Sequence, residues 1–197
     1  MDRHTRNLCK RASKGDKEAA WCLLEISYGD VFAYLRRLCG SRHDAEDLTQ
    51  QTFAKVWASL DGFAGRSKFS TWLYRVACNT YIDWRRKNKS SIRSQTDRWW
   101  QQCPDKNPGP FANAADRQLA QRLYEVVDQL DEDRKQVVHL HYYQGLSLRE
   151  TAQVLGIAAS TVKYRLREVL KILRAKIDVE ENEIDRKAIP VREGETI

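Results

Sequence analysis

The sequence predicts an all-α protein with two small helical domains joined by a flexible linker. Apolar residues recur at helical spacing in both halves of the 197-residue chain, and no segment shows the two-residue alternation of a strand. Three of the four prolines (Pro104, Pro108 and Pro110) lie in a polar stretch from Asn88 to Asn113, between the two halves. The predicted domains therefore cover residues 1–87 and 114–177, with a linker over 88–113 and a tail over 178–197.

The charge of the chain is unevenly distributed. Its 34 basic and 27 acidic side chains give a net charge of +7, but the tail carries −4, which leaves +11 on the rest. A basic helical body fits a polyanionic partner, and nucleic acid is the commonest one. A solvated basic surface without such a partner is the alternative.

Several classes of protein are excluded by what the sequence lacks. No run of about 18 apolar residues is present to span a bilayer, and no secretory signal opens the chain, so we expect a cytoplasmic protein without membrane insertion. The five cysteines have no paired spacing, which predicts reduced thiols. Cys22, Cys39 and Cys78 lie in apolar helical stretches and are expected to be buried.

Three common catalytic motifs are absent from the sequence: the phosphate-binding loop, the serine-hydrolase elbow and the zinc-protease motif. His139 and His141 are two residues apart on a predicted helix, so they point in different directions and cannot hold one metal ion. We therefore predict no catalytic site, no metal and no cofactor, and a surface or core role for both histidines.

In the first domain, Ser41 followed by Asp44 predicts the start of a helix. Its apolar side comprises Ala45, Phe53, Val56 and Leu60. The opposite stripe, which we name the amide face, comprises Asp47, Gln50, Gln51 and Ala54. A solvated face usually carries Lys–Glu pairs, whereas this one has a single carboxylate, two amides and a methyl group. Such a face is easily desolvated and fits a docking partner, with an ordinary solvated surface as the alternative.

A basic, aromatic loop from Gly62 to Phe69 leads into a second helix, with Ser70 or Thr71 as its predicted N-cap. The inward side of this helix comprises Leu73, Ala77, Tyr81 and Trp84. The outward stripe comprises Trp72, Arg75, Asn79, Asp83 and Arg86.

Aromatic and basic side chains alternate at the start of this helix. The rings are Phe63, Phe69 and Trp72, and the bases are Arg66, Lys68 and Arg75. Rings beside bases suit the unstacked bases of single-stranded DNA, where each ring–base stack contributes about 1–3 kcal/mol. The alternative is that the three rings close the hydrophobic core.

The second domain contains a helix-turn-helix pattern. Ser147 with Glu150 forms a predicted capping box, Gly156 ends the first helix, and a second helix opens near Ala159. The inward side of the second helix comprises Val162, Leu166, Val169 and Leu173. The outward stripe, which we name the recognition stripe, comprises Ser160, Lys163, Tyr164 and Arg167. Such a stripe can reach base edges in a major groove, with Arg165, Lys171 and Arg174 beside it suited to the DNA backbone. A solvated amphipathic helix is the alternative.

Three segments together resemble a known family. Residues 44–53 (DAEDLTQQTF) resemble the conserved helix of region 2 in bacterial sigma factors, and residues 69–79 (FSTWLYRVACN), with Asp83 and Arg86, resemble the adjacent promoter-melting segment. Residues 145–166 are similar to region 4 of that family. The presence of these two regions alone, joined by a linker, is the pattern of the extracytoplasmic-function (group IV) class.

This resemblance implies roles for the residues above. The amide face would dock on the β′ clamp helices of core RNA polymerase, and region 4 would meet the β flap. The implied −10 contacts are Phe63, Arg66, Lys68, Phe69, Trp72, Arg75, Asn79, Asp83 and Arg86. The implied −35 contacts are Ser160, Thr161, Lys163, Tyr164, Arg165 and Arg167. An anti-sigma factor is a further implied partner.

The recognition helix departs from the family pattern in three places. Ala158 replaces a common capping serine, Tyr164 replaces a usually small residue, and Glu168 adds an acid near the DNA. These departures leave the fold unaffected but bear on which −35 sequence is read. A conventional helix-turn-helix regulator, acting without polymerase, is the alternative function, although it explains neither the amide face nor the aromatic loop.

The linker length predicts how the two domains sit. About 25 residues of coil span roughly 25–30 Å, whereas promoter elements more than one duplex turn apart need about 34 Å or more. We therefore expect the linker to be drawn out in the working complex, and the domains to lie close together or dock when the chain is alone.

Overall fold

The computed structural model describes residues 3–63, 67–88 and 122–188, and these ranges contain helices and no strand. The all-α prediction is therefore confirmed. The first helices are α1 (Arg3–Ala12), α2 (Lys17–Cys39), α3 (Arg42–Ser59), a 3-10 turn (Leu60–Gly62) and α4 (Phe69–Lys87). There follow α5 (residues 122–128), α6 (Glu132–Val138), a π-helical turn (His139–Tyr143), α7 (Leu148–Leu155) and α8 (Ala159–Ala188). Arg66 and most of the predicted linker lie outside the described residues.

A joint of two residues, Gly40 and Ser41, separates α2 from α3. Gly40 ends α2 at a φ of +74°, a left-handed conformation that glycine adopts without steric cost. Ser41 follows as the N-cap of α3, where its hydroxyl accepts a hydrogen bond from the backbone N–H of Asp44. The predicted start of α3 is confirmed, and the tight joint returns α3 against α2.

The predicted N-cap of α4 is wrong. α4 begins at Phe69, and Lys68 occupies the N-cap position without a side-chain hydrogen bond. Ser70 and Thr71 lie within the first turn, where Thr71 is buried. The physical reason is tertiary packing, because a start at Phe69 brings its ring to 5.9 Å from the ring of Phe63.

The core of the first unit lies between α2, α3 and α4. Its most deeply buried apolar residues include Val31, Leu35, Leu48, Val56, Leu73, Ala77 and Tyr81. Tyr81 donates a hydrogen bond to the Leu38 carbonyl at 3.2 Å, which ties α4 to the end of α2. Trp84 is half-buried and stacks on Tyr81 at 5.9 Å. The predicted inward side of α4 therefore faces the core.

The helix-turn-helix forms as predicted. Ser147 and Glu150 complete a reciprocal capping box at the start of α7, and Gly156 ends it at a φ of +67°. α8 begins at Ala159 and continues beyond residue 177 to Ala188. Val162, Leu166 and Val169 are buried, and Leu173 is half-buried against the same core.

The two units dock on each other along a contact that we name the domain seam. Leu140, Leu146 and Val154 from the second unit join the buried cluster of the first unit. The Tyr74 hydroxyl donates a hydrogen bond to Gln144 Oε1 at 2.6 Å. The linker-based expectation of docked domains is therefore confirmed for the free chain.

The four described cysteines are free thiols. Cys39 and Cys78 are buried as predicted, whereas Cys22 is only half-buried because it packs at the edge of the core. Burial raises the pKa of Cys39 and of Cys78 to about 11, so both remain protonated near neutral pH. No helix in the described ranges combines the length and apolar character that a membrane-crossing helix requires.

Candidate nucleic-acid and protein-docking surfaces

The amide face is assembled on the outer side of α3. Asp47, Gln50, Gln51 and Ala54 are all exposed. The inner side is closed by Thr49 and Thr52, whose buried hydroxyls donate to backbone carbonyls four residues earlier, at 2.6 and 2.7 Å. The two exposed glutamines therefore lie on a helix whose buried threonine hydroxyls are already hydrogen-bonded.

Exposed aromatic rings that were not predicted from the sequence lie close to the amide face. Tyr28 of α2 stacks on Phe53 of α3 at 5.8 Å. Trp57 of α3 is 43% exposed. Trp57 follows Phe53 by four residues and so shares its side of α3. That spacing was the available signal, whereas the contact between Tyr28 and Phe53 depends on how α2 packs against α3.

The outward stripe of α4 is accessible. Arg75, Asn79, Asp83 and Arg86 are exposed, while Trp72 is half-buried. Arg86 and Asp83 form a loose ion pair of 3.8 Å between mostly exposed side chains. Surface pairs of this kind contribute little, so both groups can exchange to a ligand at low cost.

The three rings of the aromatic loop form a cluster. Trp72 lies 5.0 Å from Phe63 and 5.8 Å from Phe69 between ring centroids. Phe63 is 8% exposed and Phe69 is 3% exposed. Both phenylalanines thus occupy the core in this structure, which is the alternative that the sequence left open. Trp72 is the member of the cluster that reaches the surface.

The recognition stripe is exposed to solvent. Ser160, Lys163, Tyr164 and Arg167 are exposed along one side of α8. Two other candidate contacts, Thr161 and Arg165, are half-buried, and Arg165 pairs with Asp133 of α6 at 2.5 Å. Arg165 therefore has to exchange this partner before it can reach DNA.

An ion pair across the domain seam involves a lysine of the candidate DNA surface. Lys68 Nζ lies 2.7 Å from Glu150 Oε1. Hydrogen bonds from Lys68 and Ser147 lower the pKa of Glu150 to about 2, so the carboxylate is charged throughout the physiological range. Arg85 of α4 faces Glu132 of α6 at 3.7 Å as a second ion pair across the seam.

Docking brings the two candidate DNA surfaces close together. α4 packs on α7, and α7 packs on α8. Packed helix axes lie about 8–10 Å apart where they cross, and a single helix, α7, lies between α4 and α8.

The two histidines of the second unit have separate environments. His139 is buried, whereas His141 Nδ1 lies 2.7 Å from the Leu146 carbonyl oxygen. No cluster of three or more His, Cys, Asp or Glu in the described part of the chain is arranged to hold a metal ion.

Comparison with known families identifies both units. The profile of Sigma-70 region 2 matches residues 23–91, and that of Sigma-70, region 4 matches residues 120–173. The ECF RNA polymerase sigma factor SigW of Bacillus subtilis (strain 168) is 28% identical over 184 residues, which cover 90% of this chain and 98% of SigW. SigX of the same organism is 30% identical over 85% of this chain and 88% of SigX.

Solved structures share the fold. CnrH, determined in complex with the cytosolic domain of CnrY, superposes with a TM-score of 0.65 at 25% identity, over 89% of this chain and 98% of CnrH. The sigma factor RpoE from Bartonella quintana, determined with the anti-sigma factor NepR, gives a TM-score of 0.59 at 22% identity, over 79% of this chain and 94% of RpoE.

Proposed function

This chain belongs to the extracytoplasmic-function class of sigma-70 factors. We propose that it acts as an RNA polymerase sigma factor and that each of three surfaces binds a different partner: core polymerase, the −10 element or the −35 element. Such factors bind core polymerase and promoter DNA, and family membership disfavours a regulator that acts without polymerase. The observation that carries the proposal is that the amide face, the outward stripe of α4 (the α4 stripe) and the recognition stripe are all accessible at the surface.

The amide face binds core polymerase. It is supported by the exposure of Gln50 and Gln51, whose amides can both donate and accept hydrogen bonds across an interface. Ala54 leaves space for a helix of the partner to approach closely. The resemblance of residues 44–53 to region 2 assigns this partner as the β′ clamp helices, while the second unit meets the β flap.

The α4 stripe binds the −10 element and holds it open. Arg75 and Arg86 supply positive charge for phosphates, and Asn79 supplies an amide for base edges. Trp72 is placed at the surface of an aromatic cluster, where it can stack on an unpaired base. Phe63 and Phe69 pack against that ring and are themselves buried, so they stabilise its position. Lys68 is a further candidate contact, and so is Arg66, which the family resemblance implies.

The recognition stripe reads the −35 element in the major groove. Lys163 and Arg167 are one turn apart and can donate hydrogen bonds to guanine acceptors or to phosphates. Ser160 and Tyr164 complete the outward stripe, and Thr161 and Arg165 lie at its margins. Arg165 also stabilises the orientation of α8 through Asp133.

The catalytic activity and the location of the protein follow from its proposed partners. The chain contributes binding and no chemistry of its own, because polymerase supplies the catalysis, and it acts in the cytoplasm, where polymerase and promoters are found. CnrH was determined in complex with the cytosolic domain of CnrY. The family resemblance implies an anti-sigma factor, and we propose one as a partner of this chain.

Gel filtration of the chain with purified core polymerase tests the proposal. We expect the two to comigrate, and the holoenzyme to retain a promoter fragment that core alone releases. A chain that binds duplex DNA tightly by itself and never comigrates with core would instead be a conventional regulator.

A further inference from the structure

A buried histidine lies at the domain seam. His139 is 1% exposed, and neither of its ring nitrogens has a hydrogen-bond partner. Gln136 and Gln144 flank it on the same side of the helix and contact Cys78 and Tyr74 of α4, respectively. Buried polar atoms are nearly always paired, so two unpaired ring nitrogens require a physical explanation.

The charged groups that face His139 are cations. The guanidinium of Arg37, from α2, lies 4.7 Å from the ring centroid of Tyr143, which in turn lies 5.1 Å from the ring of His139. Lys135, from α6, lies one helical turn before His139 and pairs with Asp128. Burial, together with the positive charges of Arg37 and Lys135, holds the pKa of His139 well below its ordinary value of 6.5.

Carboxylates line the domain seam: Asp30 of α2 lies at a cavity beside Tyr143 and Gln144. Glu132 faces Arg85, and Glu150 faces Lys68. No carboxylate among the described residues forms an ion pair or a hydrogen bond with His139. A proton on this ring would therefore create a buried charge beside two cations, without a compensating acceptor.

We propose that His139 makes the domain seam sensitive to protons: protonation of its ring releases the α5–α8 unit from the α1–α4 unit. Release exposes the imidazolium to water and separates it from Arg37, which lies on the other side of the seam. The released chain is the extended form that two separated promoter elements require. That last consequence rests on the proposed function, whereas the release itself does not.

Proton linkage determines whether acid opens or closes the domain seam, and over which pH range it does so. The open form binds the proton more tightly than the closed form, because water solvates the charged ring only after release. The closed form is therefore favoured above the ordinary pKa of 6.5. Below that value, the equilibrium constant for closing falls by up to about tenfold for each pH unit.

Small-angle X-ray scattering of the full chain without polymerase, between about pH 7.5 and about pH 5.5, tests the proposal. This range stays above the ordinary pKa of 4.5 of Glu150, so the Lys68–Glu150 pair stays charged. We expect the radius of gyration to rise on acidification, while far-UV circular dichroism reports constant helix content.

Substitutions assign the effect to one residue. His139→Leu removes the proton site and should keep the chain compact over the whole range, and His139→Gln serves the same purpose if the leucine variant does not fold. His43→Leu is the matched control, because His43 is exposed on α3, and it should expand like the wild type.

Three results would overturn the proposal. The first is a wild-type chain that does not expand, and the second is expansion of the His139 variants equal to that of the wild type. The third is loss of helix content together with expansion, which would mean that the proton unfolds a unit and does not separate two folded ones. Because polymerase is absent, failure here is distinguishable from failure of the proposed function.

Discussion

Lys68 Nζ lies 2.7 Å from Glu150 Oε1, so a cation proposed for the −10 element is held by the first helix of the helix-turn-helix. Glu150 is also the residue whose carboxylate completes the capping box of α7 with Ser147. One carboxylate therefore stabilises both a helix start and the domain seam. Under the proposed function, docking of the two units and binding of DNA would compete for Lys68.

Glu150→Gln should loosen the seam. The substitution removes the ion pair with Lys68 and weakens the capping box, which together should cost about 1–2 kcal/mol of unfolding free energy. Thermal unfolding and small-angle scattering measure the loss and the accompanying expansion. Glu168→Gln is the matched control, since Glu168 forms a pair with Lys171 inside α8. Equal effects of the two substitutions would contradict a role at the seam.

Strong acid should loosen the seam through the same carboxylate. The pKa of Glu150 is about 2 in the folded chain, against an ordinary value of 4.5. A lowered carboxyl pKa stabilises the fold above the ordinary value, and this stabilisation is lost as the pH falls from 4.5 towards 2. The difference in unfolding free energy between wild type and Glu150→Gln should shrink over that range. A difference that does not change with pH would argue against this assignment.

The double substitution of Asp47→Ala and Gln50→Ala should weaken polymerase binding. Both side chains are exposed, so the fold should persist, as judged by circular dichroism. Fluorescence anisotropy with labelled core polymerase measures the affinity. Gln153→Ala, which removes an exposed amide of α7, is the control and should bind like the wild type. Unchanged affinity of the double variant would count against the amide face as the docking surface.

Lys163→Ala and Arg167→Ala should each reduce −35 discrimination. Loss of a bidentate base contact costs about 1–3 kcal/mol of preference for the correct base pair. Competition between matched and mismatched −35 sequences on the holoenzyme measures this preference. Arg174→Ala is the contrasting variant, because a phosphate contact should weaken all sequences equally and reduce the salt dependence. Retained discrimination in both stripe variants would remove these residues from base reading.

Trp72→Ala should impair promoter opening more than binding of the closed complex. The loss of one ring–base stack corresponds to about 1–3 kcal/mol in the opening step. Permanganate reactivity of unpaired thymines reports opening, and filter binding reports the closed complex. Trp21→Ala, a substitution of an exposed ring on α2, controls for the removal of an indole. Equal losses in the two assays would contradict the stacking role.

Local features of the fold were readable from sequence because neighbouring residues determine them. Ser147, Glu150 and Gly156 lie within one short helix, and their capping and turn chemistry defined its bounds correctly. The cap of α4 was misassigned because a ring contact between Phe63 and Phe69 outweighed the hydroxyl preference. Helix periodicity also placed the exposed stripes on the surface.

The contacts between residues far apart in the chain could not be predicted from the sequence. Tyr74 and Gln144 are 70 positions apart, and nothing in the local pattern of either indicates that they form a hydrogen bond. The linker length predicted that the domains would approach each other but not which faces would meet. The buried position of His139 depends on the same contact, so periodicity alone left open whether it lies at the surface or in the core.

Transcription with purified core polymerase, with or without this chain, on sheared genomic DNA of the source organism tests the central claim most directly. Mapping of RNA 5′ ends should reveal start points that core polymerase alone does not use. These start points should share sequence elements at the −35 and −10 positions. If the chain adds no start point while a known sigma factor does so with the same core enzyme, the account is contradicted.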